Sequence, residues 1–107
     1  MHHDHEYYGL LLDYYGDFLT RHQYDILNDY FNEDLSMSEI AENYKVSKSA
    51  IQDLIERTVK RLDGYEDKLK LVEKDNKLNE LMEQMRKEDD ELLNSYVEKL
   101  YNIKQGE

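Results

Sequence analysis

Cysteine, proline and tryptophan are absent from this 107-residue chain, and glycine occurs only four times. Without cysteine the chain has no disulfide, no thiol nucleophile and no thiolate metal site, a pattern typical of the reducing cytoplasm. Without proline, and with so little glycine, most of the residues that interrupt helices and shape tight loops are missing. The composition therefore favours long helices.

Long apolar runs are also missing. No stretch approaches the roughly 18 consecutive apolar residues of a transmembrane helix, and the N-terminal sequence MHHDHEYY has neither the basic nor the apolar region of a signal peptide. We therefore expect a cytoplasmic protein that is neither exported nor inserted into a membrane by these routes.

Basic side chains are scarce, with 14 Lys and Arg against 25 Asp and Glu, and the formal net charge is -11. Because so acidic a surface repels polyanions, any contact with nucleic acid has to be local. Residues 1–35 carry a net charge of -7 and residues 63–107 a net charge of -5, whereas residues 36–62 carry +1. Only the middle segment escapes the acidity.

Apolar residues recur at helical spacing through the chain, and no alternating pattern typical of a strand occurs. Residues 5–19 form one wide apolar face and predict a first helix. Thr20 is a suitable N-cap for a second helix that ends near Asp34. Further along, Gly64 predicts a break or kink, and the C-terminal third then indicates one long helix or two.

Two short capped helices separated by a tight turn are predicted between residues 36 and 62. Ser36 and Glu39 form an S-x-x-E capping box for the first of them, and Ser47 is the N-cap of the second. Ala41 supplies the small side chain that a close helix crossing needs. The predicted core beneath this crossing consists of Ile40, Val46, Ile51 and Leu54. A helix-turn-helix requires this arrangement, although a plain helical hairpin inside a bundle would bury the same residues.

The second helix of such a motif enters the major groove of DNA, which makes its exposed side the candidate interface. Lys48 and three further cations could meet phosphates, whereas Asp53 and Glu56 on the same helix would repel them. The candidate DNA-binding residues are Ser47, Lys48, Ser49, Gln52, Asp53, Arg57, Lys60 and Arg61.

These residues carry a family resemblance. Residues 19–69, with the preceding LLLDYYGDFL, resemble the YlxM family of small bacterial helix-turn-helix proteins, and the similarity covers about residues 7–71. The same segment is more distantly similar to region four of bacterial sigma factors, where Thr20 and Gln23 belong to the supporting helix. The family motif D-x-S-x-x-E-I-A-E-x-x-x-V-S-R-Q-A-V-x-D-x-I-x-R is matched at Asp34, Ser36, Glu39, Ile40, Ala41, Glu42, Val46, Ser47, Ala50, Asp53, Ile55 and Arg57.

The resemblance implies an all-α helix-turn-helix bundle of sigma factor region four type with a C-terminal helical extension. It also implies a cytoplasmic DNA-binding regulator that is encoded beside signal recognition particle genes and has components of that pathway as partners. Two departures from the family pattern matter: Lys45 replaces the turn glycine, and Lys48 and Ser49 replace an Arg-Gln pair. These replacements remove the bidentate readout of guanine and adenine that Arg and Gln provide.

The C-terminal third predicts a homodimer. Apolar residues there exceed what a small first core could cover, and two-fold symmetry would place two recognition helices on successive groove faces. We therefore expect a helix-turn-helix domain over residues 1–75 and a dimerisation segment of the same domain over residues 76–107. The predicted contact residues are Leu92, Tyr96, Val97, Leu100 and Tyr101.

Two other residue groups are weaker candidates for a functional site. His2, His3 and His5 form an H-H-x-H cluster with ligand chemistry for zinc or nickel, but a solvated chain terminus is the favoured interpretation, and we expect neither a metal nor another cofactor. Paired carboxylates such as Asp89 and Asp90 suit an exposed helix, so we expect no enzymatic activity. The function predicted first is DNA-binding regulation, and the alternative is a non-catalytic protein-interaction adaptor that keeps the motif as a scaffold.

Overall fold

A computed structural model describes residues 3–106, and every regular element among them is a helix. The prediction of an all-α fold is therefore confirmed. A 3₁₀ turn at Gly16–Phe18 follows the first helix. The six α-helices are α1 His5–Tyr15, α2 Arg21–Phe31, α3 Met37–Tyr44, α4 Lys48–Leu69, α5 Leu71–Lys87 and α6 Glu91–Lys104.

Side-chain caps set the starts of α2 and α3, as the sequence predicts. The Thr20 hydroxyl accepts the N–H of Gln23 at 3.2 Å, and the Gln23 side chain accepts the N–H of Thr20 at 3.0 Å. Ser36 and Glu39 form the same reciprocal capping box before α3. Because each box satisfies two backbone donors that the helix leaves unpaired, it fixes where the helix begins.

Two predicted boundaries are wrong. Helix α4 continues through Gly64 to Leu69, because glycine costs only about 1 kcal/mol inside a helix and the neighbouring Leu62 is held in the core. Helix α2 ends at Phe31 rather than near Asp34, which lies in the following turn with φ 55°. The C-terminal third forms two helices, and the Asp90 side chain caps the second.

The chain divides into two compact units, the first ending at Val72 and the second beginning at Glu73. In the first unit, α1 and α2 pack against the long helix α4, and α3 lies against α2 and α4. The sides of these helices that the sequence shows as apolar meet in one core. Its fully buried members include Leu11, Tyr15, Ile26, Leu27, Ile40, Ile55 and Leu62.

A partly buried hydrogen-bond network lies beside this core at the end of α4. The Tyr15 hydroxyl donates to the Glu66 carboxylate and accepts the N–H of Leu71 at 3.0 Å, while Glu66 accepts the N–H of Val72 at 3.1 Å. Lys70 between the two helices has φ 55°, a left-handed conformation that breaks the helix without glycine or proline. Tyr15 and Glu66 therefore cap α5 from outside its own sequence.

A second tyrosine ties α1 to α4. The Tyr8 hydroxyl donates to the Asp63 carboxylate, with oxygen–oxygen distances of 2.9 and 3.1 Å. Burial, and then this hydrogen bond, raise the pKa of Tyr8 to about 12 from its ordinary value of 10.0. A phenol held neutral in the folded state stabilises that state only while the pH is low enough to keep it protonated.

We expect this tyrosine to make stability fall at alkaline pH. Because its pKa is higher in the folded than in the unfolded chain, the contribution is complete below pH 10.0 and is lost as the pH rises towards about 12. Urea unfolding of wild type and Tyr8→Phe across this range should show the wild type losing stability more steeply. Parallel curves for the two proteins would contradict the expectation.

Two of the three glycines in the first unit, Gly16 and Gly64, have opposite surroundings. A Cβ at the buried Gly16 would lie 2.7 Å from the Tyr24 ring, whereas a Cβ at Gly64 would meet nothing within 4 Å. We expect Gly16→Ala to lower the free energy of unfolding by about 1 to 3 kcal/mol. Gly64→Ala, its matched control, should raise this free energy by about 0.5 to 1 kcal/mol because alanine favours the helix. Denaturant unfolding measures both changes. A Gly16→Ala protein as stable as the wild type would contradict the close contact with the Tyr24 ring.

The second unit is a helical hairpin. Lys104 near the end of α6 forms an ion pair with Asp75 near the start of α5, at 3.3 Å, so the two helices run antiparallel. Met82 and Val97 are buried. Leu92, Tyr96 and Ile103 follow each other at helical spacing along α6 and are 49–71% exposed. None of the helices in residues 3–106 has the length and apolar content of a transmembrane helix.

Candidate nucleic-acid interface

The turn between α3 and α4 has the tight geometry that a helix-turn-helix requires. Lys45 adopts φ 56° and ψ 45°, and the carbonyl of Ala41 accepts the N–H of Val46 at 3.0 Å. The left-handed conformation expected at the family's glycine position is thus present with a lysine side chain, at a cost on the order of 1 kcal/mol. The hydroxyl of Ser47 then accepts the N–H of Ala50 at 3.1 Å and starts α4.

The predicted core beneath the crossing is largely confirmed. Ile40, Ala41 and Ile51 are at most 5% exposed, and Leu54 is half-buried. Val46 is the exception, because it is 48% exposed. It follows the left-handed residue directly, where the chain reverses at the surface, and its predicted burial is wrong.

The N-terminal half of α4 presents a polar, exposed surface. Ser47, Lys48, Ser49, Gln52 and Asp53 are all exposed, as the sequence predicts for a groove-facing side. Lys48 lies in the first turn, where the backbone N–H groups point outward and the helix dipole favours an anion. This end of the helix therefore combines a cation at a helix N-terminus with the neutral hydrogen-bonding side chains of Ser49 and Gln52.

Lys48 and Gln52 also line a cleft of about 370 Å³ together with the start of α3. Ser36, the N-cap of α3, and Ser38 in its first turn contribute hydroxyl groups, and Tyr30 closes the cleft from α2. Sequence reasoning missed Tyr30 and Ser38, because their positions depend on how α2 and α3 cross α4. A cleft with these groups can bind a phosphate, because they can donate hydrogen bonds to its oxygens.

The other charged side chains on this side of α4 differ in their contacts. Asp53 and Arg57 form an exposed ion pair within the helix at 3.2 Å, a contact that contributes little and can be exchanged for a phosphate. Lys60 is exposed one turn further on. The Glu56 carboxylate lies 3.5 Å from Nε2 of His3 and therefore contacts the N-terminal segment.

Arg61 has a different environment. Its guanidinium donates to the Gln23 side chain at 3.0 Å, to the Phe18 carbonyl at 3.2 Å and to the Tyr65 hydroxyl at 2.8 Å. The contacts with Gln23 and Phe18 hold α4 to α2 and to the 3₁₀ turn, whereas the contact with Tyr65 lies within α4. The structure therefore gives Arg61 a supporting role in placing the helix, which the helical pattern alone did not indicate.

The histidine cluster divides. His2 lies outside the described residues, His5 is 3.5 Å from Asp34, and the His3 side chain is only 13% exposed. The expectation of a solvated terminus is wrong for His3, whose ring packs edge-on against Tyr8 and Phe31. Within residues 3–106 no group of three or more His, Asp or Glu side chains could hold a metal ion.

Comparison with known proteins gives one consistent family. The UPF0122 family, YlxM/p13-like helix-turn-helix proteins, matches residues 3–104. A UPF0122 protein of Clostridium perfringens is 46% identical over 102 residues, covering 89% of this chain and 91% of that protein. A UPF0122 protein of Malacoplasma penetrans is 41% identical over 98 residues, covering 90% and 92%. One from Clostridium acetobutylicum is 50% identical over 68 residues, covering 64% and 59%.

Proposed function

Since this chain belongs to the UPF0122 family of YlxM/p13-like helix-turn-helix proteins, we propose that it is a non-catalytic DNA-binding regulator that reads duplex DNA with α4. The observation that carries the proposal is the exposed face of α4 at Lys48, Ser49 and Gln52, within the one segment of the chain that is not acidic. In this proposal Ser47 fixes the start of the helix, and Lys48 and Lys60 contact phosphates. Arg57 exchanges its ion pair with Asp53 for a third phosphate contact.

Base readout in this proposal is modest. Ser49 and Gln52 can each donate and accept hydrogen bonds at base edges, but neither Lys48 nor Ser49 can reproduce a bidentate Arg or Gln contact at its position. Phosphate contacts and the cleft near Lys48 would therefore supply most of the affinity. Such binding falls steeply with salt.

Two copies would strengthen so small an interface. We propose that residues 76–107 form the dimerisation segment, through the exposed α6 residues Leu92, Tyr96 and Ile103. Of the contacts predicted from the sequence, Val97 is buried and cannot serve in this way without rearrangement. Burying each exposed apolar side chain would contribute about 1.5 to 3 kcal/mol.

We expect light scattering of the full chain at tens of micromolar to give twice the monomer mass. Leu92→Ser with Ile103→Ser should restore the monomer, because both side chains lie on the same exposed stripe. Leu69→Ser, which changes an exposed leucine of α4, is the matched control and should remain dimeric. A monomeric wild type at this concentration would overturn the dimer.

The experiment that tests DNA binding is genome-wide crosslinking of the tagged protein in cells, combined with fluorescence anisotropy on duplexes from enriched loci at low salt. Discrete loci and salt-sensitive binding support the proposal. Absence of both would favour the adaptor function, which the net charge of -11 favours on its own. The resemblance to YlxM suggests a cytoplasmic regulator that is linked to the signal recognition particle pathway and has components of that pathway as partners. Enriched loci at the genes of that pathway would support this link.

A further inference from the structure

A groove of about 530 Å³ runs between α1 and the end of α2, in the first unit and apart from the DNA-facing side chains of α4. Tyr7 and Leu10 from α1 and Phe31 from α2 contribute its apolar surface. Tyr7 is 38% and Leu10 36% exposed, and Leu10 lies on the exposed side of α1, one helical turn from both Glu6 and Asp13. The absence of a side chain at Gly9 lets Asn32 close one end, since a Cβ there would lie 2.5 Å from Asn32 Oδ1.

The rim of this groove is acidic. Asp4, Glu6 and Asp13 line it. Between residues 3 and 35 the only lysine or arginine is Arg21, and its guanidinium already forms an ion pair with Asp25 at 3.1 Å. An apolar surface beside three carboxylates attracts a ligand that is both apolar and cationic and repels nucleic acid.

We propose that this groove docks a basic amphipathic helical segment of a partner protein. The apolar face of such a helix would place one or two large side chains between Tyr7, Leu10 and Phe31, while its lysines or arginines meet Glu6 and Asp13. A second copy of this chain fits less well: α5 carries four acidic and four basic side chains and α6 two of each, so neither helix is cationic.

The docking surface is tested with a fluorescein-labelled synthetic peptide of about 15 residues of leucine and lysine, with leucine at i, i+3, i+4 and i+7. The control peptide has the same composition in an order that destroys the apolar face. Anisotropy at physiological salt should show the patterned peptide binding at least about tenfold more tightly than the control, because general attraction to an acidic protein is the same for both.

Two variants locate the site. Leu10→Ser removes apolar surface and Glu6→Gln removes a rim charge, and each should weaken binding of the patterned peptide by about five- to tenfold. Leu69→Ser and Glu42→Gln make the same changes at exposed positions of α4 and α3, and their affinity should stay within about twofold of wild type. Circular dichroism confirms that all four remain folded.

Equal binding of the two peptides, or unchanged binding by Leu10→Ser and Glu6→Gln, would overturn the proposal. If sedimentation gives Leu10→Ser a lower assembly mass than the wild type, a second copy occupies the groove, and the proposal also fails. None of these outcomes depends on whether α4 binds DNA.

Discussion

Tyr15→Ala is expected to lower the free energy of unfolding by about 3 to 5 kcal/mol, because it removes a fully buried aromatic side chain from the centre of the first unit. The loss is more than packing. The Tyr15 hydroxyl donates to Glu66 and accepts the N–H of Leu71, so its removal leaves a partly buried carboxylate and a backbone donor without this partner. Urea unfolding followed by circular dichroism measures the change.

The matched variant Tyr15→Phe keeps the ring and removes only the hydroxyl, and we expect it to cost about 1 to 3 kcal/mol. Its effect separates the hydrogen bonds from the packing. A Tyr15→Phe protein as stable as the wild type would show that water replaces the hydroxyl, and a Tyr15→Ala protein within about 1 kcal/mol of wild type would contradict the burial itself.

Lys48→Glu is expected to reduce DNA affinity by at least about tenfold per site, because it replaces a phosphate-binding cation by a repelling carboxylate. Unfolding free energy should change by less than about 0.5 kcal/mol, since the side chain is exposed and an acidic residue is favourable in the first turn of a helix. Fluorescence anisotropy against salt concentration distinguishes the kind of contact. Loss of a phosphate contact flattens the logarithmic salt dependence by about 0.9 per site, whereas loss of base readout removes sequence preference and leaves the slope.

Lys68→Glu is the control for net charge. Lys68 is exposed on the same helix but lies about 200° around its axis from Lys48. If both variants lose affinity equally, the effect is one of total charge and not of the α4 surface. If Lys48→Glu binds like wild type, Lys48 is not a DNA contact and the adaptor function gains support.

Local signals in the sequence were sufficient for much of the fold. The capping boxes at Thr20 and Ser36 act within four residues, and the apolar stripe of α4 continues through Ile51, Ile55 and Leu62. Each of these signals reports on one helix alone. The starts of α2, α3 and α4 and the core side of α4 were therefore predictable.

Features that depend on contacts between distant residues were not predictable. The break at Lys70 has no glycine or proline, whereas the helix tolerates Gly64, so a rule based on residue type placed the boundary at the wrong position. Arg61 has the sequence context of a phosphate contact, yet its guanidinium bonds to Gln23 and Phe18, which are about 40 positions away. Tertiary packing decides both cases.

The capping of α5 by Tyr15 and Glu66 has a consequence for the order in which this chain folds. Ordinary helix caps form as soon as the helix does, but the amide of Leu71 is paired with a hydroxyl 56 positions earlier. That amide becomes protected from hydrogen exchange only once α1 has docked on α4. Its exchange rate therefore reports the separation of α1 from α4, whereas the amides further along α5 report the opening of the second unit.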